Sequence, residues 1–198
     1  MTIKSDVFLS KLGYDYVKYE EQAIVPQFSS KRFIELVPEL RNLDDKYLRM
    51  VVESRLFEHQ LEAYDHLSKG FNVILRSGTG SGKTEAWLLY VLKFKKKTLA
   101  IYPTLALAND QLKRISKYSK AIGLETIAID ATRKSRLIKE LGVTRLREKL
   151  RKSMIVVTNP AFLLYDLKKI ATDPGKSVLK GVIAVSYTHL TLPTTERV

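Results

Sequence analysis

The sequence predicts an α/β fold, a doubly wound and mostly parallel sheet preceded by a helical N-terminal extension. Five short runs carry the first observation: FNVILR (71–76), TLAIY (98–102), TIAID (126–130), MIVVT (154–158) and GVIAV (181–185) place Val, Ile and Leu on consecutive positions. Such runs fit strands buried on both faces. Longer amphipathic stretches separate the runs, and strand and helix in alternation wind into a parallel sheet with right-handed crossovers. Finally, 198 residues, 45% hydrophobic with 9 Gly and 6 Pro, suit one domain with a sizeable core and exclude disordered and collagen-like classes.

Residues 1–55 lack that alternation. KRFIELVPEL and DDKYLRMVVESRL predict short helices broken at Pro38, with Asn42 as the expected cap. The expected division is therefore a helical extension at 1–55, an α/β domain at 56–185 and a final stretch at 186–198. Between the second and third runs, Leu105, Ala108, Leu112, Ile115, Tyr118 and Ile122 recur at three- and four-residue steps, with Lys113, Arg114, Lys117 and Lys120 between them. That spacing predicts an amphipathic helix with a basic outer face.

Composition closes several function classes. There is no Cys, so disulfide frameworks, Cys-based zinc sites and thiol catalysis are excluded. His59, His66 and His189 have no metal-ligand spacing. The opening MTIKSDVFLSKLG has no signal-peptide core, and the longest apolar stretch, Leu99 to Ala108, is interrupted by Pro103 and Thr104. The expectation is a cytoplasmic chain without a membrane partner.

Charge is concentrated. Residues 1–55 are neutral, whereas residues 93–152 hold 17 Lys and Arg against 5 Asp and Glu, almost the whole of the net +13. A concentrated basic zone is what phosphate-backbone binding requires.

The run FNVILR leads into Ser77-Gly78-Thr79-Gly80-Ser81-Gly82-Lys83-Thr84 and then into EAWLLYVLKF, a helix apolar on most sides. Strand, glycine-rich loop, Gly-Lys-Thr and helix is the layout of a phosphate-binding loop. Its glycines open backbone conformations that bring successive N–H groups onto phosphate oxygens. Lys83 supplies a point charge for the β and γ phosphates, the Thr84 hydroxyl a ligand for Mg²⁺, and the helix N-terminus a partial positive charge. Lys83 and Thr84 are thus the candidate catalytic residues, and ATP with Mg²⁺ the expected cofactors.

In the general pattern GxxxxGK[ST] the first Gly would fall at position 77, which is Ser. That variant resembles the loop of superfamily 2 helicases of the DEAD/DEAH-box type, and further segments extend the resemblance. Leu56-Phe57-Glu58-His59-Gln60-Leu61-Glu62-Ala63-Tyr64 is similar to the family's Q motif, which implies that Gln60 reads adenine. Tyr102-Pro103-Thr104 and the residues to Leu112 resemble motif Ia, and Thr158-Asn159-Pro160 resembles motif Ic. Each places Thr or Asn at the start of a helix leaving the carboxyl edge of a parallel strand, where free N–H groups could hold phosphates. The resemblance implies a RecA-like P-loop NTPase domain that binds nucleic acid through Pro103, Thr104, Thr158 and Asn159, with DNA favoured over RNA.

After GVIAV the family continues Asp-Glu-x-His or Asp-Glu-x-Asp, whereas this chain reads Ser186-Tyr187-Thr188-His189. The stretch SYTHLTLPTTERV resembles translated adapter sequence and is set aside from fold expectations. A second RecA-like domain, expected from the resemblance, is absent from this sequence. The implied activity is that of a parent ATP-dependent helicase or translocase, with slow or no hydrolysis by this chain alone. A P-loop ATPase without a nucleic-acid partner and a non-enzymatic basic nucleic-acid binder remain open alternatives.

Overall fold

The computed structural model describes residues 9–15, 25–78 and 80–182. Thr79 and most of the fifth apolar run therefore lie outside the described residues, as does His189.

Among the described residues, three of the five expected strands form. β3 (Thr98–Ile101), β4 (Thr126–Ala128) and β5 (Ile155–Thr158) make a parallel sheet in the order β3-β5-β4. Thr98 stands opposite Ile155 on one side of the central strand, and Thr126 stands opposite Ile155 on the other. Side chains of β5 alternate between two cores. Ile155 and Val157 face one apolar cluster, and Val156 faces a second with Ile129, Leu146, Leu150 and Phe162. Both faces of the sheet are covered, which makes the consecutive apolar letters necessary.

The crossover helices follow. We label them α1 (Phe33–Leu36), α2 (Lys46–Glu53), α3 (Glu58–Ser68), α4 (Lys83–Phe94), α5 (Leu105–Ala121), α6 (Ala131–Leu141), α7 (Val143–Lys152) and α8 (Pro160–Thr172). In α4 every residue from Glu85 to Leu92 is buried, as its nearly all-apolar sequence requires. In α5 the stripe expected to face inward does so, with Ile115 and Tyr118 fully buried, while Leu105 at its start is exposed.

One expectation is corrected, and another falls mostly outside the described residues. FNVILR forms no strand: residues 71–76 are irregular, and Ile74 is 100% exposed. A strand exists only as a ladder, and among the described residues this segment has no ladder partner. Of the run at 181–185, only Gly181 and Val182 are described, and they lie in a turn.

The N-terminal region is also more than helical. β1 (Phe28–Arg32) pairs antiparallel with β2 (Arg55–Phe57), and Phe28 stacks on Phe57 with ring centroids 5.0 Å apart. FSSKR carries no β-branched residue, so its pairing is set by that distant partner and not by propensity. Asn42 is not a helix cap, since it ends a 3₁₀ turn at Pro38–Asn42. Asp45 caps α2 instead, its carboxylate accepting the Leu48 N–H at 2.9 Å. Phe33, Val37, Leu40, Leu43, Leu48 and Val52 join the same apolar cluster as α4 and α5.

Candidate functional site

The loop between residues 77 and 84 is held by helices. α3 begins with Glu58, so His59 and Gln60 lie in its first turn, beside the loop. Gln60 is buried; its Oε1 accepts the Phe57 N–H at 2.9 Å and its Nε2 donates to the Gly82 carbonyl at 2.9 Å. His59 Nε2 lies 2.9 Å from the Ser81 carbonyl. The hydroxyls of Ser77 and Ser81 are 2.6 Å apart and close the loop on itself.

Gly82 stands at the helix junction with φ +74°, in the left-handed region, and a Cβ there would collide with Nε2 of Gln60. Glycine is therefore required twice over at this position. Gly80 also has positive φ, +77°. Gly78 and Gly80 are exposed and Ser81 to Thr84 half-buried, so the loop stays open to solvent.

Lys83 folds back over this opening. Its Nζ donates to the carbonyls of Ser77 at 2.8 Å and Gly78 at 2.6 Å, so the ammonium already sits above the loop backbone. A phosphate entering the loop would compete with those carbonyls for one charge, and a charge-assisted bond to phosphate is the stronger of the two. Thr84 donates its hydroxyl to Oε1 of Gln111 at 2.9 Å, leaving the oxygen lone pairs for another ligand.

Among the described residues no group of three or more His, Cys, Asp or Glu could hold a metal. Thr84 offers a hydroxyl oxygen at the loop's end. That suits an ion such as Mg²⁺, which keeps several waters and is carried mainly by substrate phosphates.

Behind the loop lies a group the sequence did not single out. Glu85, almost wholly buried, pairs with Arg114 at 2.5 Å and accepts a long bond of 3.4 Å from the Tyr118 hydroxyl. Burial first, and the Glu85 charge second, push the Tyr118 hydroxyl well above its ordinary pKa, so it remains a donor. One carboxylate oxygen, Oε2 of Glu85, and Nε of Arg114 have no hydrogen-bond partner among the described residues. Helical spacing marked all three positions, but only as a helix interior and a basic face.

The second half of the site is the carboxyl edge of the sheet. Each strand there feeds a helix through a side-chain cap. Thr104 Oγ1 accepts the Leu107 N–H at 3.2 Å, Asp130 Oδ1 the Arg133 N–H at 2.9 Å, and Asn159 Oδ1 the Phe162 N–H at 2.9 Å, with Pro160 in the first helical turn. Arg133 joins two of these ends, donating to Asp130 at 2.6 Å and to Asn109 at 2.7 Å. Asp130 and Arg133 were not foreseen, although a helix-capping Asp directly after a strand is a readable signal.

The expected nucleic-acid contacts separate into two kinds. Pro103 and Thr104 are exposed on this edge. Thr158 is buried and donates its hydroxyl to the Ile129 carbonyl at 2.8 Å, and Asn159 is buried with its carbonyl oxygen in the cap. Their side chains hold β5 and α8 in place, and the Thr158 hydroxyl proton expected for a phosphate is engaged by the neighbouring strand end. Gln60 likewise has both poles of its amide engaged by the main chain.

Known proteins resemble this chain in sequence and fold. A family model for the DEAD/DEAH box helicase matches residues 57–184. The uncharacterized ATP-dependent helicase YprA of Bacillus subtilis is 31% identical over 114 residues, which are 54% of this chain and 14% of that protein. ATP-dependent helicase hrq1 of Schizosaccharomyces pombe is 30% identical over 118 residues, 55% of this chain and 10% of that protein. The crystal structure of the DUF1998 helicase MrfA bound to DNA superposes with a TM-score of 0.56 at 23% identity, covering 78% of this chain and 20% of that one. At that identity the likeness concerns the fold. The matches span only a small fraction of the length of these relatives.

Proposed function

We propose, from the premise that this chain belongs to the DEAD/DEAH box helicase family, that it is the ATP-binding domain of a longer ATP-dependent helicase or translocase acting on DNA. The observation that carries this reading is the open loop at 77–84, with Lys83 above its carbonyls and Gly82 at the helix junction. ATP would lay its phosphates in that loop. Lys83 would neutralise the β and γ phosphates, the Thr84 hydroxyl would complete the shell of a Mg²⁺ ion, and the first turn of α4 would add its dipole. Gln60 would read adenine by giving up its bond to the Gly82 carbonyl, an exchange that couples base recognition to loop shape.

Pro103, Thr104 and the N–H groups at the starts of α5, α6 and α8 would face a nucleic-acid backbone, with low sequence specificity. DNA is favoured because MrfA was crystallised on DNA. Hydrolysis at a useful rate would need a carboxylate pair after residue 185 and an Arg from a second RecA-like domain. We place the protein in the cytoplasm.

Titration of the chain with ATP and Mg²⁺, followed by thermal unfolding, tests the reading. A ligand at about 100 times its Kd adds about 2.7 kcal/mol of stability, and Lys83→Ala is expected to remove nearly all of that gain. A folded chain that ATP and Mg²⁺ leave unchanged would overturn the assignment. For the parent, ATP turnover stimulated by single-stranded DNA is the expected result.

A further inference from the structure

The basic excess of residues 93–152 does not all serve the carboxyl edge. Arg114, Lys117, Arg133, Lys134 and Arg136 are each paired to a carboxylate. A separate group gathers at the opposite, amino edge of the sheet. Because β3 and β5 are parallel neighbours with Thr98 opposite Ile155, the residues just before each strand must meet. Adjacent strands lie about 4.8 Å apart, so the run Lys95-Lys96-Lys97 comes to rest beside Lys149, Arg151 and Lys152 in the last turn of α7.

The contacts bear this out. Lys97 Nζ donates to the carbonyls of Leu150, at 3.0 Å, and of Arg151, and the Thr98 N–H donates to the Met154 carbonyl at 2.8 Å. Lys95, Lys96, Lys149, Arg151 and Lys152 are exposed, and none pairs with an acid among the described residues. The acids nearby are Glu125, whose carbonyl accepts from Met154, and Glu148. Six cations thus face two anions.

Like charges held together cost stability unless something outside neutralises them. Burial first, and the Arg151 charge second, pull the Lys97 pKa below its ordinary value. Lys95 is the one non-glycine residue with positive φ among the described residues, at 49°, where Gly or Asn would be less strained. A helix-dipole role accounts for cations at each of two helix ends, the last turn of α7 and the end of α4, where Lys95 is the C-cap. It does not account for two such ends, six cations in all, meeting at one edge.

We propose that this amino-edge cluster is a second nucleic-acid surface, taking the sugar-phosphate backbone of a DNA or RNA strand on the side of the sheet away from the ATP loop. The surface has no apolar centre of the kind a protein interface needs. The nearest exposed ring, Phe94, is occupied by Tyr64 and Tyr90 at centroid distances of 6.1 and 5.2 Å. The inference rests on charge and topology, and it stands or falls apart from the nucleotide reading.

Fluorescence anisotropy of labelled single- and double-stranded oligonucleotides, measured across a salt series, tests it on the chain as it is. The quadruple variant Lys95→Gln, Lys96→Gln, Arg151→Gln, Lys152→Gln spares Lys97 and its carbonyl bonds. It is expected to weaken binding on the order of 10²-fold at low salt and to lower the log–log salt slope by about 2 to 4. A control of equal charge change at scattered exposed sites, Lys46→Gln, Lys69→Gln, Lys139→Gln, Lys168→Gln, is expected to lose no more than about threefold. Circular dichroism and unfolding midpoints confirm that both fold. Equal losses in the two variants would overturn the proposal, because net charge alone would then account for binding. So would full retention by the first, or a loss of binding to phosphatidylserine vesicles with oligonucleotide affinity intact. Lys83→Ala is expected to leave this binding unchanged, which separates failure here from failure of the ATP assignment.

Discussion

The segments before and after the nucleotide site are anchored in different ways. Upstream, residues 71–76 are irregular and have no ladder partner among the described residues, with Val73 resting on the core and Ile74 fully exposed. Downstream of β5 and α8, residues 173–182 are also irregular, yet they are clamped. Asp166, wholly buried on α8, accepts Lys134 Nζ at 2.6 Å, the Ser177 hydroxyl at 2.7 Å and the Leu179 N–H at 2.9 Å. Arg147 adds bonds of 2.7 to 2.8 Å to the carbonyls of Pro174, Gly175 and Ser177. Irregular backbone is thus no guide to how firmly a segment is held. Buried charge at one partner decides it.

The sharpest way to break this contrast is Asp166→Ala. It strips the clamp and leaves Lys134 charged and nearly buried, which is expected to cost about 3 to 5 kcal/mol in urea or thermal unfolding. The same group predicts an acid dependence. Burial alone would raise the Asp166 pKa, but the Lys134 ammonium, the Leu179 N–H and the Ser177 hydroxyl reverse that and hold it below 3.8. A depressed folded-state pKa contributes stability above the unfolded value, and that contribution is lost as pH falls through the folded value. Wild-type stability should therefore drop below about pH 4, and Asp166→Asn should flatten that part of the curve.

Next in size is Gly82→Ala. Left-handed backbone costs a non-glycine residue about 1 to 2 kcal/mol, and the methyl would displace the Gln60 amide from the Gly82 carbonyl. With that bond worth about 1 kcal/mol, a total loss of about 2 to 3 kcal/mol is expected. ATP affinity should fall with it. If stability drops while affinity holds, Gln60 braces the fold without shaping the loop.

Asn159→Ala removes a cap and is expected to cost about 1 kcal/mol, or about 2 to 4 °C in Tm, with Thr104→Ala at or below that figure because its site is exposed. These caps were legible because a cap is a local object. Thr104 and Asn159 are legible from three letters each, YPT and TNP, and Ile115 and Tyr118 from a three- and four-residue rhythm. What could not be read depended on partners far along the chain. Lys134 and Asp166 are 32 residues apart, Thr84 and Gln111 27, and Gln60 and Gly82 22. Lys134, Asp166 and Gln111 look like ordinary polar letters, and Gln60, Gly82 and Thr84 show their place in the loop motif but not these partners. β1 and β2 escape for the same reason, and Thr158, expected from the resemblance as a nucleic-acid contact, has its hydroxyl on the Ile129 carbonyl of the neighbouring strand end.

The smallest expected effect is the most informative about the upstream segment. Ile74 lies in a run that the apolar pattern assigns to a buried strand, and burying an isoleucine would make Ile74→Ser cost at least about 2 kcal/mol. In this fold the side chain is fully exposed, and the change is expected to stay within about 0.5 kcal/mol. A large loss would mean that FNVILR finds a ladder in solution and that the loop at 77–84 hangs from a strand after all. A null result, with ATP still stabilising the chain, would mean that α3 and α4 suffice to hold the loop through Gln60, His59 and the buried face from Glu85 to Leu92. The distinction matters for the parent protein: a strand added beside the sheet would bring the loop under the same edge as Thr104 and Asp130, whereas without one the two halves of the site are joined through α4 and α5, by Thr84 to Gln111 and by Glu85 to Arg114.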